Sequence, residues 1–335
     1  MTKSTAKNGT ILVTGGSGYI GSHCVKALLD SGRRVLIVDD LSTGYQRLTV
    51  SDDFAAVNIL NKDALKRVLQ KHEITAVMHF AASAYVGESV QDPEKYYTNN
   101  VLGTLSLLSL MRELNINQMI FSSSCAVYGN PQRLPITEEH PLHPVNPYGF
   151  TKRAVEAMLH DFSQAYGLRY VSLRYFNAAG ADPGGRLGEC HNPETHLIPL
   201  VLQTASERMH EVTVFGTDYD TPDGTCIRDY VHIADIAKAH ALALQYLESN
   251  EQSNVFNVGS EHGYSVKQII DLCGQITGKK IRVAYGDRRP GDPPMLVASA
   301  EKIKKILGWV PDYPTLEAII ETAWRWEQSE AGIAV

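Results

Sequence analysis

The sequence predicts an α/β fold, a doubly wound parallel sheet with a second, smaller and discontinuous α/β domain. Three observations predict it. Apolar, β-branched runs alternate with helix-period segments through the first half of the chain, a glycine-rich turn follows the first run, and an acidic residue ends the second run. At 335 residues the chain is long enough for both domains.

Six runs in the first half are predicted to be strands: Thr10–Thr14, Arg34–Asp39, Phe54–Ile59, Ala76–Ala81, Gln118–Ser124 and Arg169–Asn177. Helices are predicted to begin between them, near Tyr19, Asn61, Asp92 and Pro147. Because each strand is joined to the next through a helix, the strands should be parallel, with helices covering both faces of the sheet.

The pattern changes after Asn177, where the stretch Ala178–Pro199 is rich in glycine and proline. We therefore predict a first domain over residues 1–177 and a second over 178–335, with segments within 228–259 returning to the large sheet. The remaining predicted elements are a helix over Leu197–Met209, strands at Val212–Gly216, Arg228–Val231 and Val255–Gly259, and helices over Ile233–Leu247, Val266–Thr277 and Ala300–Leu307. The last two helices have candidate N-caps at Ser265 and Ser299, and Gly308 is a candidate C-terminal stop.

Charge and hydropathy exclude several partners. The net charge of −6 is spread along the chain without a basic stripe, so we expect no nucleic-acid partner. The start of the chain is polar, and no apolar run reaches the roughly 18 residues of a membrane span, so we expect no membrane contact. The five cysteines form no C-x-x-C pair. They predict free thiols in the cytoplasm.

The glycine-rich turn predicts a dinucleotide-binding site of the Rossmann type. Gly15, Gly18 and Gly21 lie between the first strand and the first helix. Glycines permit a tight turn and a close backbone approach to a pyrophosphate, whose charge then meets the N–H groups of the helix N-terminus.

The end of the second strand predicts which dinucleotide binds. Asp39 follows Gly21 by 18 residues, close to the roughly 20 expected for a carboxylate that accepts the ribose hydroxyls. This charge repels a 2′-phosphate, so the cofactor should be NAD and not NADP. Arg33 and Arg34 favour NADP, but Asp39 and Asp40 occupy the tip of the strand.

A tyrosine and a lysine open the helix that begins near Pro147. Tyr148 and Lys152 are four residues apart, so they share one helical face, where the lysine should lower the pKa of the phenol. The preceding strand ends in three serines at the edge where open α/β sheets bind ligands. Ser124, the last of them, is the candidate for a hydrogen bond that the phenol and a substrate hydroxyl share.

With these motifs in view, the chain resembles the extended short-chain dehydrogenase/reductases and, within them, the UDP-glucose 4-epimerase family. The resemblance extends from Thr10 to Trp326. Beyond the glycine motif, Asp39, Ser122–Gly129 and the Tyr148/Lys152 pair, it depends on His79–Ala82, Val86–Ser89, Asn99-Asn100, Arg174–Asn177, Gly224–Tyr230 and Arg288–Asp292.

The resemblance implies the residues of both ligand sites. Besides Gly15, Gly18 and Gly21, it implies that the NAD is lined by Tyr19, Ile20, Asp39, Asp40, Leu41, Ser42, Thr43, Gly44, Asn58, Ile59, Phe80, Ala81, Ala82, Ala84, Asn99, Tyr148, Lys152 and Phe176. It implies that Ser124 and Tyr148 contact the sugar of a UDP-sugar, which is also held by Asn177, His196, Leu197, Phe215, Arg228, Arg289, Asp292 and Leu296. Arginines suit diphosphate oxygens, and Phe215 offers an aromatic face to uracil.

Several positions depart from the common family pattern. Asn58 stands where the family often has an aspartate, Asp40 where asparagine is frequent, and Ala84 where some members carry a lysine. His196 stands where an asparagine can contact the sugar phosphate; it is either such a contact or a histidine satisfied within the protein. We expect no metal, since Cys190-His191 near His196 is an incomplete ligand set.

The implied activity is epimerisation at carbon 4 of UDP-glucose or UDP-galactose through a 4-keto intermediate, with NAD reduced and reoxidised in each cycle. The same mechanism could serve UDP-xylose, UDP-arabinose or UDP-N-acetylhexosamines. Related dehydratases carry an Asp-Glu pair where this chain has Cys125 and Ala126, which disfavours elimination. A non-catalytic NAD-binding protein would have no need to keep Ser124, Tyr148 and Lys152.

Two further expectations follow from the same motifs. The resemblance places Leu296 against the C2 substituent of the sugar, where family members with tyrosine exclude an N-acetyl group and those with cysteine or serine admit it. The helices Tyr96–Met111 and Tyr148–Tyr166 are expected to form a homodimer, because the apolar residues of the first surround its whole circumference.

Overall fold

The computed structural model describes residues 9–250, 252–289 and 292–329. By contact the chain divides into two units over these residues. Unit 1 is drawn from Met1–Val127, Leu142–Arg174 and Ala237–Phe256, and unit 2 from Tyr128–Pro141, Tyr175–Ile236 and Asn257–Val335.

The strands are, in chain order, β1 (Thr10–Thr14), β2 (Arg34–Asp39), β3 (Phe54–Ala56), β4 (Ile74–His79), β5 (Gln118–Ser122), β6 (Arg169–Tyr175), β7 (Asn177–Ala179), β8 (Val212–Phe215), β9 (Ile227–His232), β10 (Asn254–Val258), β11 (Gly263–Ser265), β12 (Val283–Gly286) and β13 (Met295–Leu296). The α-helices are α1 (Tyr19–Asp30), α2 (Lys62–Leu69), α3 (Val86–Gln91), α4 (Pro93–Tyr96), α5 (Gly103–Glu113), α6 (Pro147–Tyr166), α7 (Leu197–Ala205), α8 (Ile233–Ser249), α9 (Val266–Thr277), α10 (Glu301–Leu307) and α11 (Leu316–Glu327). A π-helical stretch, Tyr97–Leu102, joins α4 to α5.

A seven-stranded sheet has the order β10-β6-β5-β4-β1-β2-β3. The pairs from β6 through to β3 are parallel. The predicted doubly wound parallel sheet is therefore confirmed. The strand order reverses direction between β1 and β4, and at such a reversal an open α/β sheet binds its ligand beyond the carboxyl ends of the strands.

The core of unit 1 explains why these runs form strands and helices. Leu12, Leu36, Val77 and Met119 belong to four neighbouring strands and are all at most 1% exposed. They pack in one cluster with the buried residues of α2, α5 and α6. Central parallel strands are covered on both faces, so they consist of nearly continuous apolar runs without alternation.

Unit 2 has smaller sheets. In the four-stranded sheet, β9 pairs with β7, β11 and β13, while β8 pairs with β12 in a separate two-stranded sheet. The helices α7, α9 and α11 pack together with these strands through a buried apolar cluster.

One of the two strands predicted to return to the large sheet does not do so. Val255–Gly259 corresponds to β10, which lies at the edge of that sheet. Arg228–Val231 corresponds to β9, which lies in the four-stranded sheet, so this part of the prediction is wrong. Every residue of β9 is buried. This strand, Ile-Arg-Asp-Tyr-Val-His, mixes charged and apolar residues without a clear period, so the sequence could not show which sheet it joins.

Helix ends followed the predicted chemistry closely. Ser265 caps α9 in a complete capping box, and Gly308 ends α10 in the left-handed conformation. The N-cap of α10 is Ala300, one residue after the predicted N-cap Ser299. The predicted helix over Leu197–Met209 ends earlier, at Ala205.

Within the described residues, none of the helices has the length and apolar character that crossing a bilayer requires.

Candidate active site

The turn between β1 and α1 brings backbone very close to backbone. Gly15 has φ +73°, and a Cβ placed on it would lie 2.5 Å from the amide nitrogen of Ala81. A Cβ on Gly21 would lie 2.1 Å from the carbonyl oxygen of Gly15. Glycine is therefore required at both positions. The N-cap of α1 is Gly18, with no capping side chain and no acidic residue in the first turn, so the helix start offers its N–H groups to an anion.

Asp39 ends β2 beside this turn. Its Oδ2 accepts a hydrogen bond from the backbone of Ser17, and its Oδ1 one from the backbone of Leu41, both at 2.9 Å. Burial raises the pKa of Asp39, although the two N–H donors act against it. Each carboxylate oxygen can accept a second hydrogen bond, so the ribose hydroxyls of a dinucleotide fit this group. The glycine turn and Asp39 together suit NAD.

Asp40 and Asn58, both of which depart from the family pattern, contact each other. The Asn58 side-chain amide donates to Asp40 Oδ2 at 2.6 Å, and Asn58 Oδ1 accepts from the backbone of Leu60 at 2.8 Å. Asp40 thus stands where the family often has asparagine, and Asn58 stands where it often has aspartate. The hydrogen bond between the ends of β2 and β3 explains why the exchange occurs at both.

Ser124 and Tyr148 are brought together by the packing of α6. Asn146 is the N-cap of this helix, and its Oδ1 accepts from the backbone of Gly149 at 2.9 Å. A Cβ on Gly149 would lie 2.5 Å from the carbonyl oxygen of Ala126, so the start of α6 touches the turn that follows Ser124. In this arrangement the Ser124 hydroxyl lies close enough to the phenol of Tyr148 to lower its pKa.

Burial controls the ionisation of the tyrosine and the lysine. It raises the pKa of Tyr148 to about 12, against a lowering by the hydrogen bond from Ser124. Burial also lowers the pKa of Lys152 to about 7, against the opposite effect of Glu156. Lys152 Nζ lies 5.7 Å from the centre of the Tyr148 ring and donates to the carbonyl oxygen of Ser122 at 2.7 Å. Burial thus gives the protein's own groups a net upward effect on the pKa of Tyr148, and the lowering predicted for Lys152 together with the oxidised nicotinamide stays a prediction for the cofactor-bound protein.

A buried ion pair supports both catalytic elements, and the sequence analysis missed it. Arg174 Nε donates to Glu156 Oε1 at 2.9 Å, and a second guanidinium nitrogen donates to Oε2 at 2.5 Å. Ser123, which precedes Ser124, donates to Glu156 Oε1 at 2.6 Å. Glu156 follows Lys152 by one helical turn. The spacing Tyr148, Lys152, Glu156 on one helical face was the signal that could have identified it.

His79, at the end of β4, holds three elements together beneath the site. Its two ring nitrogens lie 2.7 Å from Thr14 Oγ1 and 2.8 Å from Thr104 Oγ1. Burial lowers the pKa of His79 to about 3, and the charge of Lys152 adds to this effect. The ring is therefore neutral and links β1, β4 and α5 by hydrogen bonds.

Asn100, which follows the predicted cofactor residue Asn99, is buried and joins the segment after β4 to α6. Its Oδ1 accepts from the backbone of Ser83 at 2.8 Å, and its Nδ2 donates to the carbonyl of Ser83 at 3.0 Å and to Thr151 Oγ1 at 3.1 Å. Both asparagines lie in the π-helical stretch Tyr97–Leu102. Such stretches are frequent at functional sites.

The other residues predicted to line NAD lie, with one exception, in unit 1. Those in unit 1 follow the carboxyl ends of strands or begin an adjoining helix; they are Tyr19, Ile20, Leu41, Ser42, Thr43, Gly44, Ile59, Phe80, Ala81, Ala82, Ala84 and Asn99. The exception, Phe176, lies in unit 2 and is buried.

In unit 2 the predicted substrate residues form two groups. Arg228 on β9 is buried, forms an ion pair with Asp292, and stands opposite Leu296 of β13 in the strand register. Phe215 ends β8 with 37% of its surface exposed, and the guanidinium carbon of Arg289 lies 4.1 Å from the centre of its ring. The first group offers a cation to an anionic ligand, and the second offers a stacked aromatic ring.

The remaining substrate residues lie at element boundaries. Asn177 begins β7, His196 is the N-cap residue of α7, and Leu197 is the first residue of that helix. The imidazole of His196 lies 2.8 Å from Glu189 and 2.9 Å from Glu194. Burial lowers the pKa of His196, but these carboxylates outweigh it and the net effect is a raised pKa. The ring is thus satisfied within the protein, which favours that alternative over a phosphate contact.

The fold is that of a dinucleotide-binding enzyme class, and its candidate site contains a serine, a tyrosine and a lysine. The chain belongs to the NAD dependent epimerase/dehydratase family, whose model matches residues 11–259. It is 50% identical to the UDP-glucose 4-epimerase of Halalkalibacterium halodurans over 318 residues, 95% of each chain.

Solved structures agree with this assignment. The UDP-glucose 4-epimerase from Brucella ovis in complex with NAD matches with a TM-score of 0.92 at 49% identity, covering 94% of this chain and 97% of that one. The enzyme from Bifidobacterium longum in complex with NAD+ and UDP also matches with a TM-score of 0.92, at 38% identity, covering 96% and 99% of the two chains. The family predicted from the sequence is confirmed.

The neutral His79 predicts a pH dependence of stability. Its pKa is about 3 in the folded chain against 6.5 for the ordinary group. The unfolded chain therefore binds the extra proton, and stability falls as the pH falls below 6.5. Between pH 7 and 5.5 this group should lower the free energy of unfolding by about 1 kcal/mol.

Denaturant unfolding at the two pH values measures this change. His79→Asn keeps part of the hydrogen bonding and should lose less stability over this interval than the unsubstituted protein. His262→Asn, at an exposed histidine, should lose as much as the unsubstituted protein. An identical pH effect in all three would contradict the assignment.

Proposed function

We propose that this protein is a UDP-glucose 4-epimerase, which interconverts UDP-glucose and UDP-galactose by transient oxidation at carbon 4. The observation that carries the proposal is the half-buried Tyr148, whose pKa Ser124 lowers and which lies one helical turn from Lys152, in the unit that also contains the glycine turn and Asp39. The relatives named above support the choice of substrate.

The cofactor is NAD, whose oxidised nicotinamide accepts the hydride from carbon 4 and returns it in the same cycle. The glycine turn and the start of α1 hold the pyrophosphate, and Asp39 holds the ribose hydroxyls. Because the redox change cancels within each cycle, the cofactor stays bound to the protein between turnovers.

Tyr148 is the base that takes the proton of the sugar 4-hydroxyl. The protein's own groups raise its pKa to about 12, so the phenol holds its proton until a further positive charge lies beside it. The oxidised nicotinamide is such a charge, and its reduction removes it. The same tyrosine is therefore a base for the oxidation and an acid for the return step. The hydroxyl of Ser124 forms hydrogen bonds to both the phenol and the substrate oxygen.

The residues of unit 2 hold the UDP part of the substrate. Phe215 stacks on the uracil, while Arg228 and Arg289 neutralise the diphosphate. Asn177 and Leu197 contribute from the start of β7 and of α7, whereas His196, paired with Glu189 and Glu194, is not assigned to the substrate. Asp292, which forms an ion pair with Arg228, is the last of the proposed substrate-binding residues in this unit.

Epimerisation is favoured over elimination by the residues after Ser124. Cys125 and Ala126 provide neither an acid nor a carboxylate base for removing water. No disulfide joins the five cysteines, all of which lie in the described residues, and we place the reaction in the reducing cytoplasm.

Tyr148→Phe tests the proposal. The variant removes the base and keeps the ring, so kcat for UDP-galactose should fall by about 10²- to 10⁴-fold. The nucleotide released on denaturation should equal that of the unsubstituted protein, because the cofactor contacts are unchanged. Tyr166→Phe, on the same helix but 53% exposed, is the control. Full kcat in Tyr148→Phe would show that another base operates.

The protein should form a homodimer through the helices α5 and α6. Leu107, Leu108 and Leu110 are buried on one side of α5, whereas Leu102, just before it, and Leu105 are 52% and 39% exposed. Phe150 of α6 is also exposed. These apolar residues remain available to a second copy of the chain.

Light scattering at micromolar concentration should therefore give twice the chain mass of 36.9 kDa. Leu102→Glu should shift the mass toward the monomer, because it would bury a charge in the interface. Val310→Glu, which alters a still more exposed apolar residue near the other end of the chain, should not. A monomeric unsubstituted protein would contradict the proposal.

Leu296 sets the preference for the sugar. It is half-buried on β13 beside Arg228, it is smaller than tyrosine, and it offers no hydrogen bond to an acetamide. Discrimination by shape is typically worth about 1–3 kcal/mol. We therefore expect kcat/KM for UDP-galactose to exceed that for UDP-N-acetylgalactosamine by about 5- to 150-fold, with weak activity on the N-acetyl sugar.

Two substitutions test this residue. Leu296→Tyr should suppress the N-acetyl activity further, and Leu296→Ser should raise it, each with a smaller effect on UDP-galactose. Assays with UDP-xylose would reveal a preference for pentoses. Equal kcat/KM for the two hexoses in the unsubstituted protein would show that Leu296 does not select the sugar.

A further inference from the structure

Four metal-ligating side chains gather in the segment between β7 and α7. Glu189, His191, Glu194 and His196 each offer one ligand atom, and these atoms all lie within 4.8 Å of one another. They form two Glu-x-His pairs within eight residues, in the pattern Glu-x-His-x-x-Glu-x-His. The sequence analysis considered only Cys190, His191 and His196 and therefore judged the ligand set incomplete.

The two imidazoles face the same carboxylate. The Nδ1 atoms of His191 and His196 each lie 2.8 Å from Glu189 Oε1. His196 Nδ1 is also 2.9 Å from Glu194 Oε1, and His191 Nδ1 is 3.9 Å from Glu194 Oε2. In a tetrahedral site with bonds of 2.0–2.1 Å, neighbouring ligand atoms are about 3.3 Å apart. The observed separations lie on both sides of this value and all fall within 4.8 Å, so side-chain shifts of up to about 1.5 Å would bring the four atoms around one ion.

The site is built into the protein. Both carboxylates are only 7% exposed. The backbone N–H groups of Thr195 and His196 donate to Glu194 Oε1 at 2.6 and 2.7 Å and fix that side chain. Two buried carboxylates need compensating positive charge, which either protonated imidazoles or a divalent cation can supply. Nitrogen and carboxylate donors together are typical of first-row transition ions, zinc among them.

We propose that Glu189, His191, Glu194 and His196 form a binding site for a divalent transition-metal ion, with zinc as the preferred occupant. Four protein ligands close the coordination sphere, which is the arrangement of structural and not of catalytic zinc sites. The ion would fix the segment that ends where α7 begins. The proposal does not depend on the proposed function, since none of the four residues is assigned to the reaction step.

Metal binding to the full-length protein tests the site directly. The protein is treated with EDTA, returned to buffer with excess Zn²⁺, desalted, and its zinc is measured by mass spectrometry. We expect one zinc per chain. Absence of bound zinc in the unsubstituted protein would overturn the proposal without recourse to any variant.

Substitutions then locate the ion. His191→Gln should weaken zinc binding at least tenfold, and Glu194→Gln gives the same test should the first variant fail to fold. His262→Gln, at an exposed histidine elsewhere in unit 2, is the matched control and should bind zinc normally. Unchanged affinity in a folded His191→Gln or Glu194→Gln variant would overturn the assignment.

Cobalt distinguishes this site from the cysteines. Co²⁺ bound by nitrogen and oxygen donors should give visible d–d absorption without a thiolate charge-transfer band. A strong thiolate band of the same stoichiometry would place the ion on a cysteine, such as Cys190, and would contradict the proposed ligand set.

Discussion

The close approach of α6 to the turn after β5 is the constraint on which the catalytic geometry depends. The contact of Gly149 with the carbonyl of Ala126 leaves no room for any side chain. From that contact the helix carries Tyr148, Lys152 and Glu156 at successive turns along one face. Glu156 then binds Ser123 and Arg174, which fixes the end of β5 and β6 against the same helix. Positions of the reacting groups are thus set by backbone packing, and the hydrogen bonds maintain them.

Burial, more than any single charge, determines what these groups can do. It keeps the proton on Tyr148, brings the pKa of Lys152 to about 7, and keeps His79 neutral. Because His79 is neutral, it does not repel the charged form of Lys152, whose charge in turn lowers the pKa of His79. The pKa values of these groups should therefore shift strongly when one charge is added nearby, because a buried site offers few counter-ions or waters to screen it.

The parts that were predictable from the sequence are those that local physics determines. β1 and β2 have the predicted bounds, because a central parallel strand is a continuous apolar run ended by glycine or an acid. The capping box of α9 and the left-handed Gly308 follow from residue type alone. The sheet of β9, the partners of Asn100 and the ion pair of Glu156 depend on residues 17 or more positions away, which periodicity does not reveal.

The exchange between Asp40 and Asn58 shows how departures from a family pattern should be interpreted. Taken separately, each residue removes a contact expected with the cofactor. Taken together, they keep one carboxylate and one amide at the ends of neighbouring strands, joined by a hydrogen bond of 2.6 Å. Asp40 also accepts from the backbone and the hydroxyl of Ser42, at 3.0 and 2.6 Å. The total charge at this rim of the sheet is unchanged by the exchange, so a carboxylate still opposes a 2′-phosphate there. In the proposed function, the preference for NAD therefore rests on two carboxylates at this rim, the buried Asp39 and the exposed Asp40 beside it.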